Sequence, residues 1–111
     1  MAKSSQMKVA QLVSAYEHRL DQDRRELLAS GDAGNEGADP SKFAVVRFIA
    51  HRIAGSARVF GCEELADPAR NVERLVDEGA ASDVIVGAVN ELTRRIDETL
   101  ASGLPEPDWM K

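Results

Sequence analysis

His51 is the residue of this chain best suited to chemistry. It lies in a segment with apolar residues at helical spacing, and at about 100° per residue Ile49, Ile53 and Phe60 fall close to one line. His51 falls on the opposite side, so we expect its imidazole to face water. A neutral imidazole nitrogen is a nucleophile near pH 7 and can accept a phosphoryl group and pass it on. That chemistry requires an exposed ring and a partner for the other ring nitrogen, but no deep pocket.

The helical face around His51 combines positive charge with a small residue. Arg47, Gly55 and Arg58 lie within about 40° of His51 on a helical projection. The arginines are either solvated charges or ligands for a negatively charged group, since guanidinium groups bind phosphate and carboxylate oxygens. Glycine inside a helix costs about 1 kcal/mol relative to alanine. Room for a partner at His51 would offset that cost, and close packing of a crossing helix is the alternative.

Apolar residues lie on both flanks of this face. Phe48 and Val59 lie on one flank and Ala54 lies on the other. Phe48 and Val59 either pack against a neighbouring helix or form the apolar part of a docking surface. Ser56 is on the core side, where we expect close packing and a hydrogen bond to the backbone one turn back.

Length and composition favour one small helical domain. The chain has 111 residues, of which 43% are hydrophobic and 5% aromatic, so its single core must be mostly aliphatic. The net charge of −5 argues against general nucleic-acid binding. No apolar run approaches the roughly 18 residues of a membrane span, and the N-terminus lacks the apolar core of a signal peptide. We therefore expect a cytoplasmic protein that does not contact membranes.

The sequence offers no metal or nucleotide site. Cys62 is the only cysteine, so no internal disulfide can form, and we expect a buried thiol. His18, His51 and this cysteine match no zinc-binding spacing, and we expect His18 at the surface. There is no glycine-rich phosphate loop, so we expect no ATP binding.

Four helices are predicted: over about residues 5–29, over about residues 40–60 with Gly61 at the end, over about residues 62–78 with Gly79 at the end, and from Ser82 until Gly103 and Pro105 stop the helix. Gly31 is the predicted end of the first helix, and residues 31–39 are predicted to form a loop that ends with Asp39 as an N-cap. Pro68 falls inside the third helix and predicts a kink or a delayed start. Ser82 is the predicted N-cap of the fourth. The apolar stripe of the first helix is Val9, Leu12, Val13, Tyr16, Leu20 and Leu27; that of the third is Leu65, Ala69, Val72 and Val76; that of the fourth is Ile85, Val89, Leu92, Ile96 and Leu100.

The connections after the second and third helices are short, which favours antiparallel neighbours. The predicted fold is therefore all-α, an antiparallel up-down four-helix bundle over residues 1–104. A tail over residues 105–111 follows, and its Trp109 either folds back on the bundle or hangs free.

The stretch from His51 to Gly61 resembles the signature of histidine-containing phosphotransfer (HPt) domains. That signature is a histidine, two variable residues, usually a lysine, then Gly-Ser-Ser or Gly-Ser-Ala, three variable residues and a glycine. His51, Gly55-Ser56-Ala57 and Gly61 are in register with it. Val72-Glu73 stands where the family often has a leucine-glutamate pair. The family fold is a four-helix bundle, in agreement with the helical pattern.

The resemblance implies that His51 is phosphorylated and exchanges its phosphoryl group with an aspartate of a response-regulator receiver domain. In the chemotaxis-kinase relatives a glutamate of the next helix hydrogen-bonds the histidine, and Glu73 matches that position. The usual lysine three residues after the histidine is Ala54 here. Its positive charge must then come from an arginine of this face or of the third helix: Arg47, Arg58 or Arg70.

The implied partners are a receiver domain, a hybrid histidine kinase, or both. We expect no cofactor on this chain, Mg²⁺ on the partner receiver, no autokinase activity and a monomer. The residues expected to dock the partner are Phe48, Arg52, Ala54, Gly55 and Val59. A regulatory module that binds a kinase or receiver without carrying phosphate is the alternative, and the alanine at position 54 favours it. A purely structural bundle is a third hypothesis.

Overall fold

The structure, a computed structural model, describes the backbone of residues 2–34 and 40–104, with side chains for residues 10–30 and 43–104. Helix α1 spans Ala2–Gly34, α2 spans Pro40–Val59, α3 spans Ala66–Asp77 and α4 spans Ser82–Ser102. A 3-10 turn over Glu63–Leu65 precedes α3. These described ranges contain no strand. The predicted all-α fold is confirmed.

The helices form a ring in which each packs against its chain neighbours, and α4 closes the ring against α1. Contacting residues run in opposite directions along α1 and α2. Tyr16 lies against Ser56, whereas Asp23, further along α1, lies against Arg52, one turn earlier in α2. Contacts between α2 and α3 are opposed in the same way, since Arg47 pairs with Asp77 and His51 with Glu73, so α2 is antiparallel to both α1 and α3.

The core is aliphatic and follows the predicted stripes. Its fully buried side chains include Leu20 and Leu27 of α1, Ile49 and Ile53 of α2, and residues of the later elements: Leu65, Val72, Val89, Leu92 and Ile96. Val76 and Leu100 are half-buried and pack against this core. Burying a side chain of this size contributes about 1.5–3 kcal/mol, so these stripes fix which face of each helix is left for function.

The first helix departs from the prediction in three ways. It continues to Gly34, so the prediction that Gly31 ends it and that residues 31–34 are loop is wrong. Glycine weakens a helix by about 1 kcal/mol but keeps its N–H, and no proline occurs before Pro40 to interrupt the hydrogen bonds. Leu12 is 53% exposed rather than in the core. Asp23, which interrupts the apolar stripe in the sequence, is itself buried.

Glycines and a proline set the helix ends that frame the site. Gly61, Gly79 and Gly103 have φ of 75°, 69° and 79°, and each follows the last turn of a helix, as predicted. The delayed start predicted from Pro68 is confirmed. Because α3 begins at Ala66, the proline falls in its first turn, where a backbone N–H has no partner in any case.

The prediction that Ser82 caps α4 is wrong by one residue. Ala81 holds the N-cap position, with φ −59° and ψ 148°, and no side chain caps the helix. The carbonyl of Ala81 accepts from the N–H groups of Val84 and Ile85. The predictions on Val9, Asp39, Pro105 and Trp109 lie outside the residues described in sufficient detail, and the domain boundary at residue 104 stays a prediction.

Candidate functional site

His51 projects outward from α2 with 70% of its side chain exposed, as predicted. Its Nδ1 lies 2.8 Å from Oε1 of Glu73 on α3, and Glu73 is 19% exposed. An ionised carboxylate can only accept, so Nδ1–H donates this bond. In the neutral ring Nε2 then keeps its lone pair, and the exposed ring presents that nitrogen as a nucleophile. The structure thus brings together the two residues that the sequence pairs by resemblance.

Glu73 also forms an ion pair with Arg47 of α2. Arg47 Nη2 lies 3.5 Å from Glu73 Oε1, while Arg47 Nε lies 2.5 Å from Asp77 Oδ1. The hydrogen bond to Asp77 raises the pKa of Arg47, and the same bond holds the pKa of Asp77 below its usual range. Sequence reasoning missed Asp77. The signal was present, since Asp77 and Glu73 are four residues apart, like Arg47 and His51, on antiparallel helices.

A shallow open depression adjoins the imidazole. It is lined by residues of α2 and α3: His51, Ala54, Gly55, Arg58, Arg70 and Glu73. Arg58 and Arg70 are exposed, and their guanidinium groups form no hydrogen bond or ion pair with any residue in the described ranges. A Cβ added at Gly55 would meet no atom within 4 Å. No helix of the described chain therefore packs closely at Gly55, and the glycine leaves open surface one turn from His51.

An apolar strip lies beside the histidine, on the side of α2 that faces α1. Phe48 and Val59 are 62% and 53% exposed, so neither is in the core. Val45 of α2 and Leu12 of α1 are also exposed apolar residues. Ala54, on the other flank, is only 7% exposed and offers a partner little surface.

Comparison with known protein families decides the class of this protein. A family model described as "Hpt domain" matches residues 7–102. The chain belongs to the Hpt domain family. The resemblance drawn from His51 to Gly61 is thereby confirmed, and Hpt domains act in histidine-containing phosphotransfer with histidine kinases and response regulators, without being kinases themselves. No curated protein and no solved structure matches the chain.

In this Hpt domain, Arg52 ties α2 to α1 directly after the histidine. Its Nη2 donates to Oδ1 of the buried Asp23, and Arg19 Nε lies 3.7 Å from the same oxygen. Burial raises the pKa of Asp23, although the hydrogen bond from Arg52 acts in the opposite sense. The Arg52 guanidinium also lies 5.4 Å from the ring centre of Phe48. Arg52, expected to dock a partner, is therefore partly engaged within the domain.

Ser56 of the Hpt signature links α2 to α1 a second time. Its Oγ donates to the Ile53 carbonyl at 3.4 Å, as predicted, and lies 2.9 Å from the Tyr16 hydroxyl, which was not predicted. The Tyr16 ring stacks on Phe60 with ring centres 4.1 Å apart. Burial raises the pKa of Tyr16 to about 12. These contacts fix the rotation of α2 on which the exposure of His51 depends.

Cys62 is buried, and burial raises the pKa of its thiol to about 11. His18 is exposed. Within the described ranges, no three His, Cys, Asp or Glu side chains are grouped so as to hold a metal ion. No helix there has the length and hydropathy needed to cross a bilayer.

Proposed function

We propose that His51 accepts a phosphoryl group on Nε2 and exchanges it with an aspartate of a receiver domain. The observation that carries the proposal is the hydrogen bond from His51 Nδ1 to Glu73 on a ring that is otherwise exposed. Glu73 selects the tautomer in which the outward nitrogen is unprotonated. Four of the signature positions around it, Gly55, Ser56, Ala57 and Gly61, retain the family residues.

The phosphoryl transfer requires no cofactor on this chain. The Nε2 lone pair attacks phosphorus of the receiver's aspartyl phosphate, and an N–P bond forms as the bond from phosphorus to the carboxylate oxygen breaks. The aspartate leaves as a carboxylate, and Nδ1–H stays hydrogen-bonded to Glu73, which offsets positive charge on the ring. The reverse reaction restores the neutral imidazole. We expect the receiver, not this chain, to bring Mg²⁺.

The surface around His51 suits a docked partner domain. Phe48 and Val59 supply exposed apolar area, and Gly55 leaves room for close approach. Arg52 extends the surface by its stacking on Phe48, whereas Ala54 contributes only its small exposed edge. We expect a monomeric, cytoplasmic domain that receives phosphate from a receiver or hybrid kinase and has no autokinase activity, since the sequence has no nucleotide-binding loop.

Incubation with a ³²P-labelled phosphorylated receiver tests the proposal. We expect acid-labile, base-stable label on the wild-type chain and none on His51→Gln. His18→Gln is the matched control and should retain full labelling, because His18 is exposed on α1, away from Glu73. Glu73→Ala should slow labelling about tenfold, while Glu73→Gln, whose amide oxygen can still accept from Nδ1–H, should slow it less. Label that persists in His51→Gln would end the proposal.

The regulatory binding module remains the second candidate because Ala54 replaces the usual family lysine. Such a module would bind the receiver through the same surface and carry no phosphate. Saturable receiver binding, with no label transferred to His51 over hours, would favour this candidate over phosphotransfer.

A further inference from the structure

The three arginines that could replace the charge of the family lysine fall into two classes by their contacts. They are Arg47, Arg58 and Arg70. Arg47 donates to both carboxylate oxygens of Asp77, at 2.5 and 3.3 Å, and also lies against Glu73. Arg58 and Arg70 line the depression beside the imidazole and have no ion-pair partner among the described residues. The charge of Arg47 is therefore compensated by two carboxylates, whereas the charges of Arg58 and Arg70 are available to a ligand.

The positions of these two arginines suit a group attached to Nε2. Arg58 lies two turns after His51 on α2, and Arg70 lies about one turn before Glu73 on α3. They approach the depression from two different helices, with the open surface of Gly55 between His51 and Arg58. Long guanidinium side chains on both walls can each donate more than one hydrogen bond to phosphate oxygens.

We propose that Arg58 and Arg70 together hold the phosphoryl group on His51 and supply the positive charge that Ala54 lacks. This inference rests on the proposed function. Ala54 has no charge and is 7% exposed, so the position of the usual family lysine contributes nothing to binding an anion. Arg47 is instead a positioning residue, since it acts on the imidazole through Glu73. The two available arginines stabilise the dianionic phosphoryl group and the charge on its oxygens during transfer.

The test observes the phosphoryl group directly by ³¹P NMR. The full chain is phosphorylated with potassium phosphoramidate, whose N–P bond breaks as the bond to Nε2 forms and ammonia leaves. The resonance is then titrated in the wild type, Arg58→Gln, Arg70→Gln and the double variant. Arg74→Gln is the matched control, because Arg74 is also on α3 and exposed but is engaged by Asn71 and Glu78.

We expect the pKa of the phosphoryl group to rise by about half a unit in each single variant and by about one unit in the double variant. Transfer from the phosphorylated chain to a receiver should slow about tenfold in the double variant. Lysine at either position should restore part of both effects, since it keeps the charge but loses the planar guanidinium group. The Arg74→Gln control should match the wild type in both measurements.

Two results would overturn the inference alone. One is a phosphohistidine that exchanges with the receiver but titrates identically in the wild type and the double variant. The other is a larger pKa rise in Arg47→Gln than in the double variant, which would assign the phosphate contact to Arg47. A wild-type chain that forms no phosphohistidine at His51, or forms it and exchanges it with no receiver, would instead overturn the proposed function together with the inference.

Discussion

Arg47 and Asp77 join α2 to α3 one helical turn from the histidine, with Arg47 Nε 2.5 Å from Asp77 Oδ1. Arg47 also reaches Glu73 Oε1, the same oxygen that accepts the hydrogen bond from His51. A continuous line of four side chains therefore runs from Asp77 to the nucleophile. Glu73 cannot change rotamer without breaking contacts to both α2 residues, so the orientation of the imidazole depends on residues that do not touch it.

Asp77→Asn should weaken this line without removing any group that touches phosphate. We expect phosphotransfer to slow about threefold, the change that corresponds to one exposed ion pair. Stopped-flow or quench measurements with a phosphorylated receiver would measure it. Glu78→Gln is the control, because Glu78 pairs with Arg74 and not with the histidine network. Unchanged or faster transfer in Asp77→Asn would show that Arg47 does not position Glu73.

The same pair predicts a pH dependence of stability. Arg47 lowers the pKa of Asp77 in the folded state, so the ionised carboxyl favours folding. This stabilisation is present at pH 7, above the pKa of the unfolded state, and is lost as pH falls through the lowered folded value. The difference in urea midpoint between the wild type and Asp77→Asn should therefore shrink towards zero as the pH falls below the pKa of a normal aspartate. A difference that grows in acid would contradict the assignment.

Gly55 and Gly87 form a matched pair for testing why a helix near the site contains glycine. Both are exposed within helices, and an added Cβ would meet nothing within 4 Å at either. Alanine at each should raise the free energy of unfolding by about 0.5–1 kcal/mol. Only Gly55→Ala should also impair transfer from a receiver, by about fivefold, because the methyl group enters the docked interface. Equal transfer by both variants would remove the docking explanation for Gly55.

The sequence predicts the helices and the exposure of His51 because both follow from the local spacing of apolar residues. It also predicts the Glu73 contact, through the family signature. It does not predict that Asp23 is buried, because a hydrophobic pattern treats a charged residue as exterior unless its partner is known. That partner, Arg52, is 29 residues further along the chain, on the next helix, and pairs of this kind depend on how two helices are rotated against each other.

The contact between Tyr16 and Ser56 also depends on how α1 and α2 are rotated against each other. The burial of Tyr16 can be measured directly. It is the only tyrosine of the chain, so a spectrophotometric titration of tyrosinate reports on it alone. We expect a midpoint at about 12. A raised pKa means that Tyr16 stabilises the fold fully below pH 10 and that this contribution is lost as pH rises through 12. Tyr16→Phe should cost about 1 kcal/mol at pH 7, from the lost hydrogen bond. A midpoint near 10 would place the hydroxyl in water.

Asp23 and Arg52 should behave as a coupled pair in a double-mutant cycle. Asp23→Leu should lower the free energy of unfolding by about 2–3 kcal/mol, because it leaves the half-buried guanidinium without its carboxylate, and Arg52→Met should lower it by a similar amount, because it leaves the buried carboxylate without this partner. The buried Nε of Arg52 already has no hydrogen-bond partner among the described residues. Replacing both residues, as Asp23→Leu with Arg52→Met, should recover stability to within about 1 kcal/mol of the wild type. Urea unfolding measures all four corners of such a cycle. Additive losses would mean that the pair contributes only as two separate side chains, and that the attachment of α2 to α1 beside His51 depends on apolar packing alone.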